Sequence, residues 1–117
     1  MTTINLNCVT KSQADNCIKT LLNSIKDKDT VVTDNQALKE VLNKLKCRAK
    51  SIQYAGRKEL HSIIEKSQPT VVILMFPSTK TEKFTHQILP DTTVYKFICS
   101  DSKKIVPYVE ELEALTV

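Results

Sequence analysis

Glycine occurs once in this sequence, at Gly56, and tryptophan not at all. A single glycine excludes the phosphate-cradling loops that need several, so neither a G-x-G-x-x-G fingerprint nor a Walker A sequence is present, and the G-x-S-x-G elbow of hydrolases is absent too. Aromatic residues make up 5% of the chain, which leaves little for stacking on the bases of single-stranded nucleic acid. Cys8, Cys17, Cys47 and Cys99 include no C-x-x-C pair, and His61 and His86 have no partner at ligand spacing, so a structural zinc site is not expected. The longest apolar run, Val71 to Phe76, is far too short to cross a bilayer. No charged leader followed by an apolar stretch opens the sequence, so an intracellular, cytoplasmic location and reduced thiols are expected. No internal repeat or low-complexity segment occurs.

What is present is an ordinary globular composition. The 117 residues are 41% hydrophobic and 26% charged. A chain of this size buries roughly two-thirds of its surface on folding, enough for a core without disulfide or metal staples. One domain covering residues 1–117 is expected.

The hydrophobic pattern alternates between strand and helix. Thr3 to Val9 alternates apolar and polar. Residues 12–26 carry Ala14, Cys17, Ile18, Leu21, Leu22 and Ile25 at helical spacing. Asp29 to Thr33 is a β-branched strand, and Leu38, Val41, Leu42 and Leu45 form the stripe of a second helix that Asp34 or Asn35 can cap. Ser51 to Ala55 is a third strand, followed after Gly56 by a helix bearing Leu60, Ile63 and Ile64. Val71 to Phe76 reads as a strand covered on both faces, hence central. A weaker helix over 79–89 follows, then a strand over 94–99 and a last helix over 102–115. The pattern predicts an α/β fold, a three-layer α/β/α domain around a five-stranded, mostly parallel sheet. Its expected strand order is Rossmann-like 3-2-1-4-5 or flavodoxin-like 2-1-3-4-5. The third strand, with Gln53 between Ile52 and Tyr54, belongs nearer an edge.

Ligands of such sheets bind outside the carboxyl ends of the strands. The loops expected there hold Thr10-Lys11-Ser12, Asp34-Asn35, Gly56-Arg57-Lys58, Pro77 to Lys80 and Ser100 to Ser102. Lys11, Ser12, Asp34, Arg57, Lys58 and Lys80 are therefore the candidate ligand-binding residues, suited to an anion near helix N-termini. Capping and solvation alone also account for these residue types.

The net charge is +4, unevenly spread. Residues 1–58 hold 11 basic and 5 acidic side chains, and residues 59–117 hold 6 and 8. From Lys44 to Lys58 there is no acid. Lys44, Lys46, Arg48 and Lys50 are candidates for a partner-binding face, against the plainer reading of a solvated surface. No catalytic constellation is visible: both histidines read as surface residues, and Glu110, Glu111 and Glu113 as an acidic solvated helix face. Buried packing is the simplest role for Cys8, Cys17 and Cys99, whereas Cys47 lies between two cations that can activate a thiol.

Cys8, closing the first strand before the loop CVTKSQ, resembles the phosphocysteine of small sugar-phosphotransferase B domains, whose loop carries glycine and small residues instead. Residues 4–65 are distantly similar to the small sulfur-relay subunits of the DsrH/TusB type, in Cys17-Ile18 and in Lys28 to Val32. That family's motif after the second strand is replaced here by Thr33-Asp34-Asn35-Gln36, and the second half of this chain is longer. These resemblances imply a carrier or small enzyme using a nucleotide or a reactive cysteine, with Cys8, Cys17, Lys11, Asp34 and Arg57 as its residues.

The favoured expectation is a regulatory or interaction module without cofactor or metal. It binds another protein, or an anionic small ligand, through the basic segment and the carboxyl-end rim. Nucleic acid is a weaker candidate partner, and a membrane is not one.

Overall fold

The computed structural model describes residues 2–7, 10–56, 58–74 and 91–98, with the backbone alone at Lys11 and Ile98. The helices expected over 79–89 and 102–115 lie outside these residues, as do Cys8, Cys99, Arg57, Lys80 and His86. The described elements are β1 (Thr2–Asn7), α1 (Lys11–Ser24), β2 (Thr30–Thr33), α2 (Gln36–Lys44), β3 (Ser51–Tyr54), α3 (Leu60–Ser67), β4 (Val71–Leu74) and β5 (Thr93–Ile98).

Each helix boundary has a local cause. The Thr10 hydroxyl accepts from Gln13 N–H and the Gln13 side chain accepts from Thr10 N–H, both at 3.2 Å, which is a reciprocal capping box at the start of α1. Of the two candidate caps for α2 it is Asn35 that serves, its Oδ1 accepting from Leu38 N–H at 2.8 Å. α2 ends in a full Schellman turn: Lys46 N–H donates to Asn43 O and Cys47 N–H to Leu42 O. That turn puts Lys46 in the left-handed region at φ 57°, and α3 ends similarly on Gln68 at φ 45°. Such positions usually carry glycine, because a side chain costs about 1 kcal/mol or more there. The sole glycine, Gly56, has no positive φ and instead starts the turn into α3, its carbonyl accepting from Glu59 and Leu60 N–H.

The five strands form one parallel sheet in the order β1-β5-β4-β2-β3. The α/β class and the parallel sheet are as the sequence implies, and so are the central place of β4 and the edge place of β3. The strand order is not: both expected orders, 3-2-1-4-5 and 2-1-3-4-5, set β1 inside the sheet, and it lies at the edge. The reason is in its side chains. Leu6 alone of its six residues is buried, whereas all four of β4 are. A strand with threonine and asparagine on one face cannot be covered on both sides without stranding polar groups. β4 and β2 take the interior instead, paired from Val31↔Val71 to Thr33↔Ile73.

Right-handed crossovers then fix the layers. The chain passes from β1 to β2 and on to β3 in one direction, so α1 and α2 share a face. It returns from β3 to β4, so α3 takes the other. The cores agree: Ile18, Leu21, Leu38 and Leu42 pack with Val31, Ile73 and Phe97, whereas Leu60 and Ile64 pack with Val32, Val72 and Val94. Each buried side chain of this size contributes about 1.5–3 kcal/mol by leaving water.

The amino end of the sheet is tied by polar contacts. The Asp29 carboxylate accepts from Lys26 N–H at 2.8 Å and from the Thr70 hydroxyl at 3.0 Å. The Asp29 carbonyl accepts from Lys50 N–H at 2.9 Å, and the Thr92 hydroxyl donates to Pro69 O at 2.8 Å. These bonds hold the entries to β2, β3, β4 and β5 together.

Candidate functional site

The two halves of the expected site lie at opposite ends of the sheet. β3 runs from Ser51 to Tyr54. Lys44, Lys46, Arg48 and Lys50 precede it, at the amino end, whereas Lys58 follows it at the carboxyl end. Four residues of strand separate the groups by about 13 Å. The edge position of β1 also divides the carboxyl-end rim. Ser12, at the start of α1, belongs to the β1 edge, and Lys58 to the β3 edge, four inter-strand spacings or about 19 Å across the sheet. Asp34 lies between them, where β2 and β4 adjoin and their onward connections diverge.

That divergence is the switch point of the sheet. Thr33, Asp34 and Asn35 are all buried there, and their polar groups are engaged with the protein itself. Asp34 N–H donates to Ile73 O at 3.3 Å, Asn35 N–H to the Thr33 hydroxyl at 3.3 Å, and Asn35 caps α2. At the β1 edge, Thr10 is likewise occupied by its capping box. The Thr10 and Asn35 side chains of this rim thus serve helix starts. No group of three or more His, Cys, Asp or Glu among the described residues is arranged to hold a metal ion.

The amino end differs. From Lys44 to Lys50 exposure alternates strictly: Lys44, Lys46, Arg48 and Lys50 are exposed, and Leu45, Cys47 and Ala49 are half-buried. These three apolar residues pack against the core on the α1 and α2 face of the sheet. They anchor the segment, and the anchoring turns every second side chain, a cation each time, toward solvent. Lys44 has a local explanation, since it lies in the last turn of α2 where the helix dipole favours positive charge. Arg48 and Lys50 lie beyond the helix and have none. Lys46 occupies a backbone position that glycine would fill with less strain.

β3 continues this segment along the sheet edge. Among the described residues it pairs with β2 alone, and Ser51, Gln53 and Tyr54 are exposed. Beside it, on the α3 face, lies an open groove of about 220 Å³ lined by Gln53, Ile63, Lys66 and Ser67. Lys66, in the last turn of α3, adds a further exposed cation there.

The cysteines within the described residues are both free thiols. Cys17 is 6% exposed and its Sγ donates to Asn7 O at 3.5 Å, so α1 uses it to pack against the end of β1. Cys47 is half-buried in the anchored segment. His61 is exposed on α3.

The alternation over 44–50 is plain in the sequence KLKCRAK, and it is the signal for an outward row of cations. The groove beside Gln53 has no such signal, because it depends on how α3 lies against β3. No helix among the described residues is long and apolar enough to cross a membrane. Comparison with protein-family models, with curated proteins and with solved structures gives no match, so the site rests on its own geometry.

Proposed function

We propose that this protein is a small intracellular interaction module that captures an acidic surface of a partner protein. Lys44, Lys46, Arg48 and Lys50 form the contact. The observation that carries the reading is the strict alternation of 44–50, which fixes Leu45, Cys47 and Ala49 to the core and keeps the cations outward. A row of like charges fixed in position raises the local concentration of an oppositely charged partner and speeds encounter. Its reach is about 8 Å at physiological ionic strength, so the contact weakens as salt rises.

An anionic small ligand at the carboxyl-end rim is the second component, held at one edge alone, by Lys58 beside β3 or by Ser12 beside β1, since about 19 Å separates them. The capping bonds of Thr10 and Asn35 leave that rim fewer groups for a ligand, so the amino-end cations come first in this reading. A carrier using a cysteine is the alternative. The burial of Cys17 and its bond to Asn7 O give that thiol a packing role and favour the module.

The test is charge reversal. Lys46→Glu, Arg48→Glu and Lys50→Glu combined are expected to abolish binding to polyglutamate, followed by fluorescence anisotropy, with the urea midpoint little changed. Binding that survives the reversal would leave these cations as a solvated face.

A further inference from the structure

Resting on the acidic-partner reading, we propose that the partner presents an extended acidic segment that pairs as a sixth strand with the edge of β3 that has no neighbour among the described residues. Three features converge on that edge. Ala55 N–H donates inward to Thr33 O, and the register Val31↔Ile52 turns Ser51 and Gln53 toward β2 with it. Strand alternation therefore turns the N–H and C=O of Ile52 and Tyr54 outward, available to a further strand. Ile52 packs on the α2 side of the sheet, so Gln53 projects to the α3 side, where it lines the groove with Ile63, Lys66 and Ser67. A strand added about 4.8 Å beyond β3 sets alternate side chains along that groove. Main-chain bonds then supply affinity and the groove supplies selection, as in other strand-addition complexes.

Charge decides what kind of segment fits. The edge has Arg48 and Lys50 exposed at its entry, Lys58 exposed at its exit and Lys66 at the groove, and the sequence has no acid from Lys44 to Lys58. An acidic segment is drawn to such an edge and a basic one repelled. The same cations keep β3 from pairing with another copy of itself, since like charges would meet across the new ladder. Pairing is thereby directed away from self-association and toward an acidic strand.

The probes are two short synthetic peptides of alternating valine and threonine, one flanked by glutamates and the other by lysines. The readouts are amide hydrogen exchange by NMR and binding by anisotropy. The glutamate peptide is expected to slow exchange at Ile52 and Tyr54 and to leave Gln53 unchanged, while the lysine peptide slows none of them. Tyr54→Pro removes one outward donor and leaves the inner ladder whole, as proline on an edge strand can. It is expected to weaken the glutamate peptide by about tenfold, the equivalent of one main-chain hydrogen bond.

Failure of the glutamate peptide to bind, or binding that leaves the Ile52 and Tyr54 amides unprotected, overturns strand addition. If polyglutamate binding still responds to charge reversal in that case, the acidic-partner reading stands by itself. Equal protection by the lysine peptide overturns the acidic selection. The exchange measurement on the unaltered protein decides the matter even if Tyr54→Pro fails to fold.

Discussion

The sheet has two edges of very different make. β1 is six residues long, is paired with β5 along its whole length from Thr2↔Thr93 to Asn7↔Ile98, and contains threonine and asparagine but no charge. β3 is four residues long and has cations before and after it. Uncharged polar side chains at β1 suit an edge that the chain merely has to hydrate. Positive charge concentrated at β3 goes beyond that need, since shortness alone already blunts an edge. The contrast is the physical reason to look for a partner at β3 and at the segment leading into it.

The largest expected effect concerns what fastens each edge. Leu6 is the one buried side chain of β1 at 8% exposure, whereas Ile52 of β3 is only half-buried. Leu6→Ala is expected to cost about 2–4 kcal/mol and Ile52→Ala less, about 1–2 kcal/mol, in urea unfolding followed by circular dichroism. An equal loss at the two positions would mean that β3 is fastened as firmly as β1.

Next comes the polar tie at the entry to β3. Asp29→Ala removes the acceptor used by Lys26 N–H and the Thr70 hydroxyl. A loss of about 1–3 kcal/mol is expected. Faster amide exchange at Lys50, whose N–H bonds to the Asp29 carbonyl, should accompany it. No change at Lys50 would separate the Asp29 side chain from the placement of the basic segment.

The smallest effect has the opposite sign. Lys46→Gly relieves a left-handed residue and should stabilise the protein by about 0.5–1 kcal/mol, while weakening polyglutamate binding. Gln68→Gly, at the end of α3, is the control: similar relief, with binding intact. Were Lys46→Gly to destabilise, the left-handed turn would not be the source of strain.

Much of this was legible in the sequence. The continuous apolar stretch at Val71 to Leu74 announces a central strand, and the polar alternation of Ser51 to Tyr54 announces an edge. The same alternation in Thr3-Ile4-Asn5-Leu6-Asn7 marks β1 as an edge strand too. The tendency of consecutive strands to be neighbours points the other way, and burial overrides it. Asp34 and Asn35 are chemically equal as caps, so only backbone geometry separates them: Asn35 at φ −131° and ψ 120° sets its amide over Leu38 N–H. The unbroken basic stretch from Lys44 to Lys58 suggests one patch. A strand inside it carries its two ends to opposite ends of the sheet, and that division could be inferred once Ser51 to Ala55 had been read as β. The groove at Gln53 could not, because it arises from packing between elements.

Mapping of amide chemical shifts on titration with polyglutamate tests the central claim most directly, since it separates the two ends of the sheet in one experiment. The largest shifts are expected at Lys46, Arg48 and Lys50, fading with added salt, with little change at Thr10, Ser12 or Asn35. Shifts centred on the carboxyl-end residues, or none at all, would contradict it.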